Sequence, residues 1–187
     1  MAIKKQRKKW WLLIPLFLLL IYLSWVYYQH VLDEKARFSV YPGFGIELPL
    51  GYSLHGIDVS FYQQHIYWPS VKKMKEKDVA LKFVFIKATE GLYNADRYFK
   101  RNWEQAKSLS LTRGAYHFFL ATKDGTMQAK NFLKKVQLKP GDLPPVLDIE
   151  ELYGVAPDVM RRRVKDWLKY TEKYCGVKPI IYSNAFF

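Results

Sequence analysis

Two acids stand at the end of one apolar run: PPVLDIE (144–150) closes on Asp148 and Glu150. In a strand, residues two apart share a face, and a rise of about 3.3 Å per residue puts their Cα atoms roughly 6.5–7 Å apart. Carboxyls that close cannot both ionise freely, so one is expected to hold its proton to higher pH. A raised carboxyl beside an ionised one is the working pair of glycosidic bond cleavage. One protonates the leaving oxygen and the other acts as base, nucleophile or stabiliser. Asp58, at the end of GIDVS (56–60), is a third acid in the same kind of position. Without context, an Asp-x-Glu pair also fits a solvated loop edge or a salt-bridge partner.

The elements that must carry these acids alternate along the chain. Strands are expected over 56–60, 82–91, 112–119, 143–150 and 178–183, and helices over 68–77, 96–109, 126–136 and 157–175. That alternation implies βα units around a parallel sheet, whose working residues gather at the C-terminal strand ends. Those ends carry Asp58, Glu90, His117, Asp148, Glu150 and Tyr182. The aromatics Tyr62, Tyr67, Trp68, Tyr116, Phe118 and Tyr182 lie near them and suit the apolar faces of sugar rings, although aromatics within strands more often fill a core.

Composition narrows the classes. The chain has 187 residues, a formal net charge of +13 and one cysteine, Cys175. One cysteine excludes an internal disulfide and a multi-cysteine zinc site, and His30, His55, His65 and His117 lack ligand spacing. No metal or other cofactor is expected. Lys4, Lys5, Arg7, Lys8 and Lys9 precede an uncharged run over 10–32, long enough for a helix to cross a bilayer core of roughly 30 Å. Trp10 and Trp11 at one end, and Trp25, Tyr27 and Tyr28 at the other, suit the two interfaces. A cleaved signal peptide would want small residues where these aromatics stand. The run therefore reads as an uncleaved signal-anchor with a cytoplasmic basic tail (1–9), a span in membrane lipid (10–32), a stalk (33–54) and an extracytoplasmic domain (55–187), on the periplasmic or cell-wall side. The basic cluster is then a topology signal, and Arg161–Arg163 reads as a solvated helix face, with no nucleic-acid partner.

The segments HGIDVSFYQ, FVFIKATEG, GAYHFF, PPVLDIE and PIIYS, in this order, resemble the glycoside hydrolase family 25 lysozymes, the Chalaropsis-type muramidases. The resemblance implies a flattened eight-stranded TIM-like (β/α) barrel, of which about five βα units are present here. It also implies cleavage of the β-1,4 bond between N-acetylmuramic acid and N-acetylglucosamine in peptidoglycan. Asp58, Asp148 and Glu150 match the family's catalytic acids, with Glu150 as general acid/base and Asp148 assisting through the substrate's N-acetyl group. Glu90, Tyr116, His117 and Tyr182 fall in motifs near the groove and are carried over as substrate-binding residues.

The family pattern continues with three more strands, whereas this chain ends at Asn184–Phe187. The sequence therefore reads as a domain truncated at its C-terminus, with Pro179–Ser183 at an edge that a further segment or a partner would have to complete. A non-catalytic, peptidoglycan-binding remnant is the alternative function. A chitinase-type reading is weaker, because its DxxDxDxE pattern would need acids where Leu143 and Val146 stand. The spacing leaves a retaining or inverting outcome open.

Overall fold

The computed structural model describes residues 13–184, less the side chains of residues 34–36. The basic tail 1–9, the pair Trp10 and Trp11, and residues 185–187 lie outside the described residues. The chain divides into two compact units, Met1–Tyr52 and Ser53–Phe187.

In the first unit, helix α1 runs over Ile14–Ala36. Its stretch Ile14–Asp33 is long and apolar enough to cross a membrane, and none of it is buried against protein. The helix continues four residues past the expected end at 32, because Asp33, Glu34, Lys35 and Ala36 leave the apolar pattern without breaking the helix. Part of the expected stalk is also ordered. Strands β1 (Phe38–Tyr41) and β2 (Ile46–Pro49) pair antiparallel, and the Tyr41 carbonyl accepts the amides of Phe44 and Gly45 in the turn between them.

The second unit is built on a parallel path of strands β3 (His55–Val59), β5 (Val79–Glu90), β7 (Thr112–Phe118), β8 (Val146–Ile149) and β9 (Ile180–Ser183), side by side in that order. Two short antiparallel additions, β4 (Lys75–Glu76) and β6 (Asn94–Ala95), pair with opposite ends of β5. Helices α2 (Trp68–Lys73), α3 (Phe99–Ser108), α4 (Gly125–Leu133) and α5 (Pro157–Cys175) connect the parallel strands. This is the expected partial barrel, seen among the described residues as five parallel strands joined by four helices. Helix α2 stops four residues early, because the chain turns back at Lys77, with φ of +53°, to pair β4 with β5.

Alternation along the strands separates two faces. Val84, Ile86, Ala115, Leu147 and Ile149 turn outward and join a buried cluster with Ala129, Phe132, Val164 and Trp167 of α4 and α5. The other face curls around an open cavity floored by Phe83 and Phe85, whose rings meet edge to face at 5.8 Å. Those rings need Gly56 and Gly114 beside them, since a Cβ at either position would lie 2.3 Å from a ring atom.

Helix ends follow local chemistry. Asp124 caps α4 by accepting the Met127 amide at 2.8 Å, Pro157 opens α5, and Gly176 closes it at φ of +72°. Arg113 pairs with Asp142 at 2.8 Å, donates to the Trp103 carbonyl and stacks over the Trp103 ring, tying β7 to α3 and to the segment before β8.

Candidate active site

The cavity of about 510 Å³ on the inner face rises from the Phe83–Phe85 floor to the C-terminal strand ends. Asp58, Tyr116, Asp148, Glu150 and Tyr182 all line it, brought there by β3, β7, β8 and β9. Register explains the meeting: Phe118 pairs with Asp148, and Asp148 with Tyr182, so these three stand in one row across three strands.

The two acids at the C-terminal end of β8, Asp148 within it and Glu150 just past it, differ in environment. Asp148 is only 9% exposed, and its Oδ1 is buried with no hydrogen-bond partner. Glu150, at the strand end, is exposed. Burial pushes the Asp148 carboxyl up to about 7; Glu150 raises it further, the Lys87 ammonium opposes the rise, and Asp58 adds to it. The expectation that one acid of the pair holds its proton is met by Asp148. Tyr116 is also held well above the usual phenol range, by burial first and then by the charges of Asp58 and Asp148.

Two substrate-site expectations need correction. His117 is fully buried on the opposite face of β7, where its Nδ1 meets Thr89 Oγ1 at 2.7 Å and its Nε2 meets Gln128 Oε1 at 3.2 Å. The Trp167 ring stacks against it at 5.9 Å. Tyr116 and His117 are consecutive, so a strand turns them to opposite sides, and Tyr116 holds the groove side. Glu90 is turned toward the groove side but does not line the cavity, because its Oε2 accepts from Lys87 Nζ at 2.6 Å. Among the aromatics, Tyr62 and Phe118 line the cavity, while Trp68 is a core residue whose indole donates to Asn102.

Sequence reasoning missed three groups. Lys87 lines the cavity, although it is only 6% exposed. The signal was a single lysine on the groove-facing stripe of an apolar strand. Ser60 lines the cavity and caps the 3-10 turn Phe61–Gln63 by accepting the Tyr62 amide. Asp96 accepts the Phe61 amide at 2.6 Å and the Tyr98 amide at 2.8 Å, pinning the loop after β3.

A cavity lined by aromatics and by three acids at the ends of parallel strands suits a sugar polymer and acid–base chemistry. The family model for glycosyl hydrolases family 25 matches residues 57–187, which include every one of these acids. The chain belongs to glycosyl hydrolases family 25. It is 47% identical over 144 residues to the uncharacterized protein YegX of Escherichia coli (strain K12), covering 77% of this chain and 53% of that protein. It is 37% identical over 142 residues to lysozyme M1 of Streptomyces globisporus, covering 71% of this chain and 47% of that protein. The chain thus spans about half the length of these curated relatives. The solved family 25 glycosyl hydrolase from Bacillus anthracis superposes with a TM-score of 0.65 at 36% identity, over 71% of this chain and 61% of that one. The five-stranded path is therefore that of the family fold.

Proposed function

We propose that this family 25 chain is a membrane-anchored muramidase, hydrolysing the β-1,4 bond between N-acetylmuramic acid and N-acetylglucosamine in peptidoglycan. The observation that carries this reading is the Asp148–Glu150 pair: one acid buried, unpartnered and raised, the other exposed two residues on, both in one aromatic-lined cavity. A buried carboxyl without a partner is costly unless a ligand group meets it.

Glu150 is the general acid/base, since it stands at the open end of the strand where a glycosidic oxygen can reach it. It protonates the leaving oxygen as the bond to the anomeric carbon breaks, and later takes a proton from the attacking water. Asp148 meets the substrate's N-acetyl group with its unpartnered oxygen and holds that group against the reacting carbon. Asp58 and Tyr116 line the same cavity, and Tyr182 offers a ring face to a sugar. Lysozyme M1 of Streptomyces globisporus and two N,O-diacetylmuramidases among the relatives are named for this type of activity.

Helix α1 anchors the chain, the basic residues before it hold the N-terminus in the cytoplasm, and the segment through residue 54 tethers the hydrolase domain (55–187) on the peptidoglycan side.

The test is the full chain in detergent on purified peptidoglycan. New reducing ends that disappear in Glu150→Gln support hydrolysis by this pair. Sedimentation with peptidoglycan without release of sugar fragments would replace hydrolysis with binding alone.

A further inference from the structure

Lys87 and Glu90 are three residues apart on β5, a spacing that puts side chains on opposite faces of a regular strand. Here they meet at 2.6 Å. The reason is a register shift in the β5–β7 ladder: Lys87 pairs with Tyr116, but Thr89 pairs with His117 and Glu90 with Phe118. Ala88 is the extra residue of this β-bulge, so Ala88 and Thr89 both turn to the helix side and Glu90 returns to the groove side. Bulges are uncommon in parallel ladders, and where they stand beside active sites they re-aim a side chain. This one is pinned, because the Ala88 carbonyl accepts the Asp96 amide at 2.9 Å.

The resulting ammonium is enclosed. Its side chain is 8% exposed, and Nζ lies 4.6 Å from the Phe118 ring centroid and 6.0 Å from that of Phe61. Asp96 holds the Phe61 amide, so one acid secures both the bulge and the loop that carries one wall of this enclosure. A buried ammonium costs desolvation unless its charge is used. Glu90 pairs with it from one side, while Asp58, Asp148 and Glu150 line the same cavity.

We propose that the bulge-built Lys87–Glu90 pair is the electrostatic counterweight of the carboxylate cluster, and that it sets the charge state of Asp148. Lys87 favours the ionised Asp148 carboxylate. Glu90 restrains that influence by drawing the ammonium to itself and by adding a negative charge. Both are positioning residues, acting on the reaction through Asp148. The other groups facing Asp148 are Asp58 from β3, Tyr116 from β7, Glu150 from its own strand and Tyr182 from β9, with Asp96 acting on Tyr116. Among the described residues, Lys87 is the cation that acts on Asp148, which gives its removal a defined sign.

The inference rests on the proposed active site for its consequence in catalysis, but its test reads a titration and not turnover. The full chain, labelled with carboxyl-13C aspartate in detergent micelles, is titrated by NMR, with Asp148→Asn identifying the Asp148 signal. Lys87→Met is expected to move the Asp148 midpoint up by about one pH unit or more, and Glu90→Gln to move it down. Lys87→Arg is expected to restore a near-native midpoint. Only opposite displacements support the proposal. Unmoved midpoints, or two midpoints that move together, overturn it. If Lys87→Met does not fold, Glu90→Gln decides alone: a fall supports the proposal, and no fall overturns it. A chain that fails to cleave peptidoglycan leaves this titration readable, so failure of the proposed activity and failure of this inference are separate results.

Discussion

Thr89 Oγ1 and His117 Nδ1 meet at 2.7 Å across the β5–β7 ladder, on the face of the sheet turned away from the groove. Gln128 Oε1 takes the Nε2 hydrogen on the other side of the ring and also accepts the Leu120 amide, so one neutral imidazole links β5, β7 and α4. The ring is fully buried, and that burial is the chief reason it is held as a base of pKa about 3, well below its ordinary 6.5.

The acid stability of the fold should follow from that ring. The unfolded chain takes up a proton at His117 below pH 6.5, while the folded chain does so only near 3, so the unfolded state binds more protons in between. The contribution of His117 is complete above pH 6.5 and is lost as the pH falls toward 3, by at most about 5 kcal/mol. Urea midpoints of the full chain in detergent, measured at pH 7 and pH 4, should fall less steeply in His117→Gln. An unchanged fall between the two would remove His117 from the account.

Asp148 should show the opposite sign. Its folded pKa of about 7 lies above its ordinary 3.8, so the folded state holds the proton longer, and stability declines as the pH rises from about 4 to 7. Asp148→Asn is expected to be neutral at pH 3.5 and stabilising at pH 8, by at most about 4 kcal/mol. Chemical denaturation at the two values checks this, and equal effects at both would contradict it.

Glu150→Gln should separate activity from stability. Its side chain is exposed, so the change should alter folding stability by less than about 0.5 kcal/mol. Release of reducing ends should drop by about a hundredfold or more. Loss of activity accompanied by loss of the fold would void the assignment.

Gly125→Ala probes the scaffold. A Cβ there would lie 1.8 Å from the Arg163 carbonyl oxygen, which is backbone and cannot swing aside. Helices α4 and α5 would have to part, at a cost of about 1–3 kcal/mol. A melting temperature equal to that of the native chain would mean that the two helices pack less closely than described.

Much of this was legible in the residues. The alternation of β-branched runs with amphipathic stretches marked five strands and four helices, and period two marked Asp148 and Glu150 as partners. Tyr116 and His117 were both assigned to the groove because they share a motif, although consecutive residues on a strand part company. Trp68 belongs to the core because its indole and Asn102 satisfy each other there. Lys87 is not legible as a site residue, because a lysine on an otherwise apolar stripe gives no sign of which carboxylate it meets.

By itself, the sequence determined the βα order, the shared face of Asp148 and Glu150, and an apolar N-terminal stretch of membrane-crossing length. These depend on local periodicity and on residue counts. Tertiary structure decided which acid of the pair is buried and raised, which face His117 occupies, and that Lys87 and Glu90 meet at all. The first two depend on which neighbouring strands and helices cover a side chain. The third depends on the bulge at Ala88, which exists only in the register of β5 against β7 and reverses the facing that spacing alone dictates.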